Sequence, residues 1–292
     1  TCSSIVLFGA MTVAAINIAP GDTVTENFTI GAIATASLPS DWRADKNTTV
    51  RSVGSYASAG TATEQRAGNS MSASAQNGIY NYGAGAADSA TDRAVGGISS
   101  GTGSKSVNVY VKLTNNGATI ITNFIISYSV EKYRNGSNAA GFAMQLYYST
   151  DGTTWTSAGA NFESAWPADG DDSGFAGAPG DTKYVTNKPL NVSLAAGNTL
   201  YLAWNYSVKT GTTTTHAQGL GLDNVTIEAK GAGAGPTPAI ASNKVCLTQP
   251  VASQSAVIGY GITLATESWS NGVAQVGYGQ TSDGAGWLWF DV

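Results

Sequence analysis

The sequence predicts an all-β protein built as an antiparallel β-sandwich, and three observations predict it. Apolar and polar residues alternate with period two along much of the chain, the spacing of a half-buried strand. The 292 residues include 36 Gly, 42% are hydrophobic and 9% aromatic, a composition that folds and turns often rather than staying disordered. No stretch carries a helical period of useful length.

Taken in order, the elements begin with the apolar run "IVLFGAMTVAAI", Ile5 to Ile16. It is too short to span a bilayer. It has the length of a signal-peptide core, but neither a Met start nor a basic segment precedes it. We read it as a strongly apolar first strand of a mature chain, an unremoved signal remnant being the competing reading. The turn signal "APGDT" divides it from the rest of the chain. In "SVNVYVKL", Val107, Val109, Val111 and Leu113 share one face, and Asn108, Tyr110 and Lys112 the other. In "NFIISYSV", Phe124, Ile126, Tyr128 and Val130 face inward. "GFAMQLYYSTDGTTW" places Phe142, Met144, Leu146 and Tyr148 inward, then turns at Asp151-Gly152. "TLYLAWNYSV" aligns Leu200, Leu202, Trp204, Tyr206 and Val208. The linker "GAGAGPTP", residues 231–238, is small residues followed by two prolines. Beyond it, "AVIGYGITLA", "VAQVGYG" and "GWLWFDV" read as strands. The expected organisation is an apolar strand in 1–20, a sandwich in 21–230, the linker, and a small β segment in 239–292.

Only 11% of residues are charged, less than half the usual share, and the net charge is −5. The 14 basic residues are scattered, which excludes nucleic-acid binding through phosphates and disfavours an anionic membrane surface. No membrane insertion is expected. This uncharged, Ser- and Thr-rich composition points to the extracellular space or the cell surface. Cys2 and Cys246 are too far apart for CxxC chemistry. In a chain that otherwise reads as exported, Cys2 and Cys246 are expected to form a disulfide, closing a loop worth about 4–5 kcal/mol of unfolded-state entropy. Two free thiols are the alternative.

Candidate sites are few. In "SYSVEKYRNG", Glu131, Lys132 and Arg134 end an alternating strand. Alternation leaves Glu131 outward and turns Lys132 inward unless the strand bulges, and a Glu131–Arg134 ion pair accounts for the charges without chemistry. In "ADGDDSG", Asp169, Asp171 and Ser173 take the first three side-chain positions of a calcium loop. Its twelfth position is Gly180 instead of Glu, so a solvated turn is the plainer reading. No other cofactor is expected. Tyr80, Tyr82, Trp155 and Trp166 are candidates for a sugar-stacking platform, the alternative being that half of them are core. His216 is the single histidine, set in a polar loop without evident partners. Glu131, Glu163 and Asp223 are the carboxylates that a glycoside hydrolase reading would need. Asp223, in "GLGLDNVTI", is better placed to satisfy backbone donors where a final strand begins. No nucleophile-elbow, zinc or phosphate-loop motif occurs.

The blocks "ASLPSDWRADKNTTVRSVGSY", "GNSMSASAQNGIYNYGAGAADSATDRAVGGISS", "LTNNGATIITNFIISYSVEKYRNG", "LYLAWNYSV" and "GLGLDNVTIEA" occur in that order over residues 24–229. Together they resemble a β-sandwich module of secreted Bacteroidota proteins, often found upstream of lamin-tail, nuclease or sorting domains. The family's commoner E-x-W-R reads Glu131-Lys132-Tyr133-Arg134 here. The resemblance implies a jelly-roll-like sandwich in an exported protein and brings no catalytic residues. Thr23 in "DTV" and Ser89 in "DSA" match the O-glycosylation pattern of that group. The expected function is a non-enzymatic secreted structural subunit, self-assembling through terminal β-strands into an extracellular filament or adhesive structure. The alternative is a carbohydrate-binding or targeting module of a larger secreted hydrolase or nuclease.

Overall fold

A computed structural model describes residues 15–231 in full and the backbone of residues 275–280 and 286–291. The chain divides into two compact units, Thr1–Gly231 and Ala232–Val292. Strands of the first unit are β1 (Ile16–Ile18), β2 (Thr23–Glu26), β3 (Trp42–Asn47), β4 (Gln65–Ala67), β5 (Gly78–Gly83), β6 (Arg93–Ile98) and β7 (Ser106–Asn115). They continue with β8 (Ile121–Arg134), β9 (Phe142–Ser149), β10 (Thr156–Ser157), β11 (Glu163–Trp166), β12 (Asp181–Leu190), β13 (Thr199–Val208) and β14 (Gly219–Gly231). In the second unit β15 (Gln275–Gln280) and β16 (Gly286–Asp291) form an antiparallel pair that overlaps "VAQVGYG" and "GWLWFDV". The described residues contain no α-helix, only two short 3-10 turns. None of their helices is long and apolar enough to cross a membrane, which says nothing of a β-barrel.

Two sheets build the sandwich. Sheet A runs β1-β7-β13-β9-β10, with β3 also on β7 and β11 also on β9. Sheet B runs β12-β8-β14-β6-β5-β4, with β2 also on β14. Among the described strands, pairing is antiparallel except for two three-residue pairs, β1 with β7 and β4 with β5. Alternation places the core: Val107, Val109, Val111, Leu113, Leu200, Leu202, Met144 and Leu146 of sheet A are fully buried. So are Phe124, Ile126 and Val130 of sheet B. Trp204 joins the two sheets. Its ring stacks on Trp42 at 5.6 Å between centroids and meets Tyr128 of β8 edge-on at 5.7 Å.

The Asp151-Gly152 signal makes its turn between β9 and β10, with Tyr148 opposite Thr156. Gly152 sits at φ 74°, and Asp151 Oδ1 accepts from the amides of Thr153 and Thr154 at 2.7 Å each. β12 is an edge strand, blunted by Pro189, Lys183, Lys188 and a register shift between Val185 and Lys188.

The outward faces are less exposed than alternation implies. Asn108 and Tyr110 of β7 are fully buried, because the segment between β3 and β4 folds across them. Ser52 O accepts from Asn108 Nδ2 at 3.1 Å, and the Gly54 amide donates to Tyr110 Oη at 2.9 Å. On β8, Tyr133 stacks on Tyr82 at 4.4 Å, and Tyr82 on Tyr80 at 5.0 Å. Gly221 of β14 is required there. A Cβ on it would stand 2.7 Å from Ala94 Cβ and 3.0 Å from the Tyr82 ring.

Candidate functional site

Three motifs that are far apart in sequence meet at one end of the sandwich. The strand β8 runs on through Arg134, so Glu131, Lys132 and Arg134 are buried rather than a frayed strand end. The expected Glu131–Arg134 ion pair does not form. Glu131 accepts instead from the Tyr133 hydroxyl, and Arg134 donates to the carbonyls of Ser72, Ala73, Asn135 and Ala217. Four of the five N–H donors of the guanidinium go to main-chain acceptors, which turns the fork away from a two-pronged carboxylate bond. Lys132 shares the inward face with Val130, and its Nζ meets Asp169 Oδ1 at 2.5 Å.

The acidic loop is thereby committed to internal contacts. Asp169 Oδ2 also accepts from the Gly136 amide at 2.9 Å and Gln218 Nε2 at 2.8 Å. Asp171 Oδ1 accepts from the Ser173 amide and hydroxyl and from Asn135 Nδ2, and these bonds hold its pKa below the ordinary value. Asp172 takes the Ser137 amide and hydroxyl on one oxygen and His216 Nδ1 at 2.5 Å on the other. Its pKa falls to about 2: burial opposes the shift, and the bonds from His216 and Ser137 outweigh it. Ser137 bonds Asp172 and not the imidazole, so these three do not form a nucleophile–base–carboxylate relay. Among the described residues no group of three or more His, Cys, Asp or Glu is arranged to hold a metal ion.

The three carboxylates that a hydrolase would need do not assemble. Glu163 lies on β11 and pairs with Lys209 at 2.7 Å. Glu131 and Asp223 do share a face of β8 and β14, since Gly221 pairs with Glu131 and Asp223 with Ser129. Asp223 takes a backbone hydrogen bond from Asn224, as expected of a residue that satisfies backbone donors there. Its Oδ2 accepts from Asn224 Nδ2 at 2.6 Å, and its Oδ1 is buried without a partner. Burial pushes its pKa up to about 7, helped by the nearby carboxylates of Glu131, Asp92 and Glu26.

The expected sugar platform does not assemble, because three of its four rings are inside. Tyr80, Tyr82 and Trp166 are buried at 3%, 0% and 4% exposure. Trp155 is half-buried against Tyr110, its indole N–H on Gly54 O at 2.7 Å. Thr23 and Ser89 are both exposed. Cys2, Cys246 and the part of the apolar run from Ile5 to Ala14 lie outside the described residues.

A groove that sequence reasoning missed lies on the outward face of sheet A. Register aligns Asp45, Asn108, Asn205, Gln145 and Glu163 in one row across β3, β7, β13, β9 and β11. The segment between β3 and β4 covers Asn108 and most of Asn205, both held by Ser52 O, and leaves Gln145 and Glu163 on β9 and β11 half-buried. There a depression of about 170 Å³ is lined by Arg51, Gln145, Tyr147, Glu163, Asn205 and Lys209, among others. Small outward residues, Ala143 and Ser207, make its floor. Its polar groups are fixed in place. Asn205 Nδ2 donates to Asn108 Oδ1 at 2.6 Å and Ser52 O at 3.0 Å. Gln145 Nε2 donates to the carbonyls of Leu146 and Gly159. Each amide thus spends its nitrogen on the protein, and neither amide oxygen takes a donor among the described residues. Arg51 is anchored by the carbonyls of Val208 and Gly211 at 2.9 Å each. The signal in the sequence was the polar outward set of "TLYLAWNYSV" and "GFAMQLYYS", but only the pairing of β13 with β9 brings Asn205 beside Gln145.

No family model matches the chain, and no curated protein matches it in sequence. Among solved structures it is similar to the K1 cleaved adhesin domain of Lys-gingipain from Porphyromonas gingivalis W83. Identity there is 14% over 72% of this chain and 100% of that one, with a TM-score of 0.33. The K3 domain of the same protein shows 13% identity over 70% and 98%, with a TM-score of 0.34. A Clostridium thermocellum endo-1,4-β-D-xylanase 10B structure, comprising CBM22-1 and GH10 modules complexed with xylohexaose, shows 13% identity over 72% and 28%, with a TM-score of 0.28. These are distant likenesses, and what this chain binds has to be argued from its own side chains.

Proposed function

We propose that this chain is a non-enzymatic, extracellular adhesive subunit whose sandwich holds a glycan on the uncovered part of sheet A, around β9 and β11. One observation carries the reading: half-buried Gln145 stands beside Asn205, both amide nitrogens are engaged and neither oxygen takes a donor among the described residues, and the half-buried ring of Tyr147 lies next to them. Asn205 itself is only 2% exposed, so Gln145 is the accessible acceptor. A polyol supplies hydroxyl donors for such an acceptor and an apolar C–H face for such a ring. Glu163 and the anchored Arg51 add an acceptor and a donor at the rim. In affinity electrophoresis against a panel of soluble plant and bacterial polysaccharides, the full chain is expected to be retarded by at least one neutral glycan. Tyr147→Ala is expected to weaken that retention roughly tenfold, the worth of about 1.4 kcal/mol of stacking. Equal mobility on every glycan, or full retention by the variant, refutes the site.

Self-assembly is the second reading, and it is favoured by where the N-terminal strand enters. β1 lies parallel to β7, Ile16 opposite Leu113, on the same edge of sheet A that receives β3. Ile18 is fully buried in its own domain, so the donated segment in this proposal is the apolar run upstream of β1. Added to a neighbouring copy's sheet, such a run bonds its backbone and buries its side chains, and head-to-tail addition need not close. Removing residues 1–14 while keeping β1 is expected to turn filaments in negative stain, and fast-sedimenting material, into monomers. Assembly that survives the deletion, or an intact chain that stays monomeric at high concentration, refutes it.

A further inference from the structure

β14 changes partners halfway along one edge. Leu220 to Leu222 pair with β6, and from Val225 onward the same edge pairs with β2, Val225 opposite Glu26. Asp223 and Asn224 fall in the gap. Asn224 is left-handed at φ 51°, and the register against β8 shifts between Asp223 and Thr226. Both neighbouring strands bring a carboxylate to this gap: Glu26 is the last residue of β2, and Asp92 immediately precedes β6. Glu131 comes from the other side, diagonal to Asp223 on β8.

This gathering of carboxyl groups has no counter-ion among the described residues. Among the described residues, none of Glu26, Asp92, Glu131 and Asp223 is in an ion pair with a lysine, arginine or histidine. The innermost member is the telling one. Asp223 is at 0% exposure, and its Oδ1 is buried with no hydrogen-bond partner. Buried polar atoms are nearly always partnered, and an orphan marks a missing donor or ion. Glu131, at 7% exposure, gives one oxygen to the Tyr133 hydroxyl, and its other oxygen takes no donor among the described residues.

We propose that the gap between β6 and β2 binds a divalent cation of the calcium class, ligated by Asp223 Oδ1 and Glu131 Oε1. No group of three or more acidic, His or Cys side chains among the described residues stands ready to hold an ion there, so main-chain carbonyls and water complete the shell. Glu26 and Asp92 supply the surrounding field. Oxygen donors without imidazole or thiolate select a hard cation. The irregular backbone at the bulge suits the flexible six to eight ligands of calcium better than the strict octahedron of magnesium.

The test uses the full chain stripped with EDTA and titrated with CaCl2, followed by calorimetry and by thermal unfolding. One calcium per chain is expected from this site, with Tm rising by about 5 °C or more near saturation. Asp223→Asn and Glu131→Gln are each expected to weaken calcium binding at least roughly tenfold and to flatten the Tm response. Asp223→Asn removes a buried charge, so it should fold in EDTA at least as well as the parent chain, which keeps the comparison readable. Asp171→Asn, in the acidic loop, should leave the response unchanged. No calcium effect on the parent chain overturns the proposal. So does an Asp223→Asn variant that responds like the parent, or a response lost only in Asp171→Asn.

Discussion

Trp204→Ala is expected to destabilise the sandwich by about 3–5 kcal/mol. The ring is fully buried and is the piece that both sheets touch, stacked on Trp42 and edge-on to Tyr128. Its removal forfeits the transfer energy of the largest side chain and leaves a void between two sheets whose backbones are fixed by their own ladders. Those ladders prevent collapse, so the cavity cost stays. For a domain of this size the loss lowers Tm by roughly 10 °C or more. Trp204→Phe, which keeps a ring, should recover a substantial part. A circular-dichroism melt within 2 °C of the parent for Trp204→Ala, taking ~2 °C as the shift from under 1 kcal/mol, sinks the assignment.

Arg134→Met is expected to cost about 3 kcal/mol or more, although no carboxylate is lost with it. The guanidinium gathers the carbonyls of Ser72 and Ala73, of Asn135 and of Ala217, three separate stretches of chain. Methionine keeps the apolar stem and abandons these buried acceptors, each costing about 1–3 kcal/mol when nothing replaces the donor. Arg134→Lys should recover only part, because a point charge cannot address acceptors spread around a planar fork. Urea unfolding distinguishes this from the ion-pair reading. If Glu131→Gln costs as much as Arg134→Met, the two residues act as a pair after all.

The core was legible because burial against the facing sheet follows period two. Val107, Val109 and Val111, or Leu200, Leu202 and Trp204, needed only their own strand to be placed. What the outward residues do was not legible, because it depends on chain that arrives from elsewhere. Asn108 and Tyr110 alternate correctly and are still buried, under Ser52 and Gly54. Tyr80 and Tyr82, two apart, read as a surface pair, yet β8 brings Tyr133 onto the stack. The charged cluster misled for the same reason. Glu131 and Arg134 are close in sequence, but Lys132 finds its partner 37 residues away. The groove was hidden still more completely, since no single strand contains more than two of its polar side chains.

The segment folded over β3 and β7 has a consequence for how selectivity in such a groove changes. Strands stand about 4.8 Å apart, so the depression that runs from β13 across β9 to β11 spans roughly 10 Å, room for a short stretch of ligand. The aligned row beneath the cover continues to Asp45, doubling that span. Its residues are already polar and already in register. Shortening the segment would therefore lengthen the groove without altering a strand, and lengthening it would close the groove altogether. Ligand length in this scaffold is governed by a surface loop, the part of a sandwich most free to vary, while the sheet that grips the ligand stays constant.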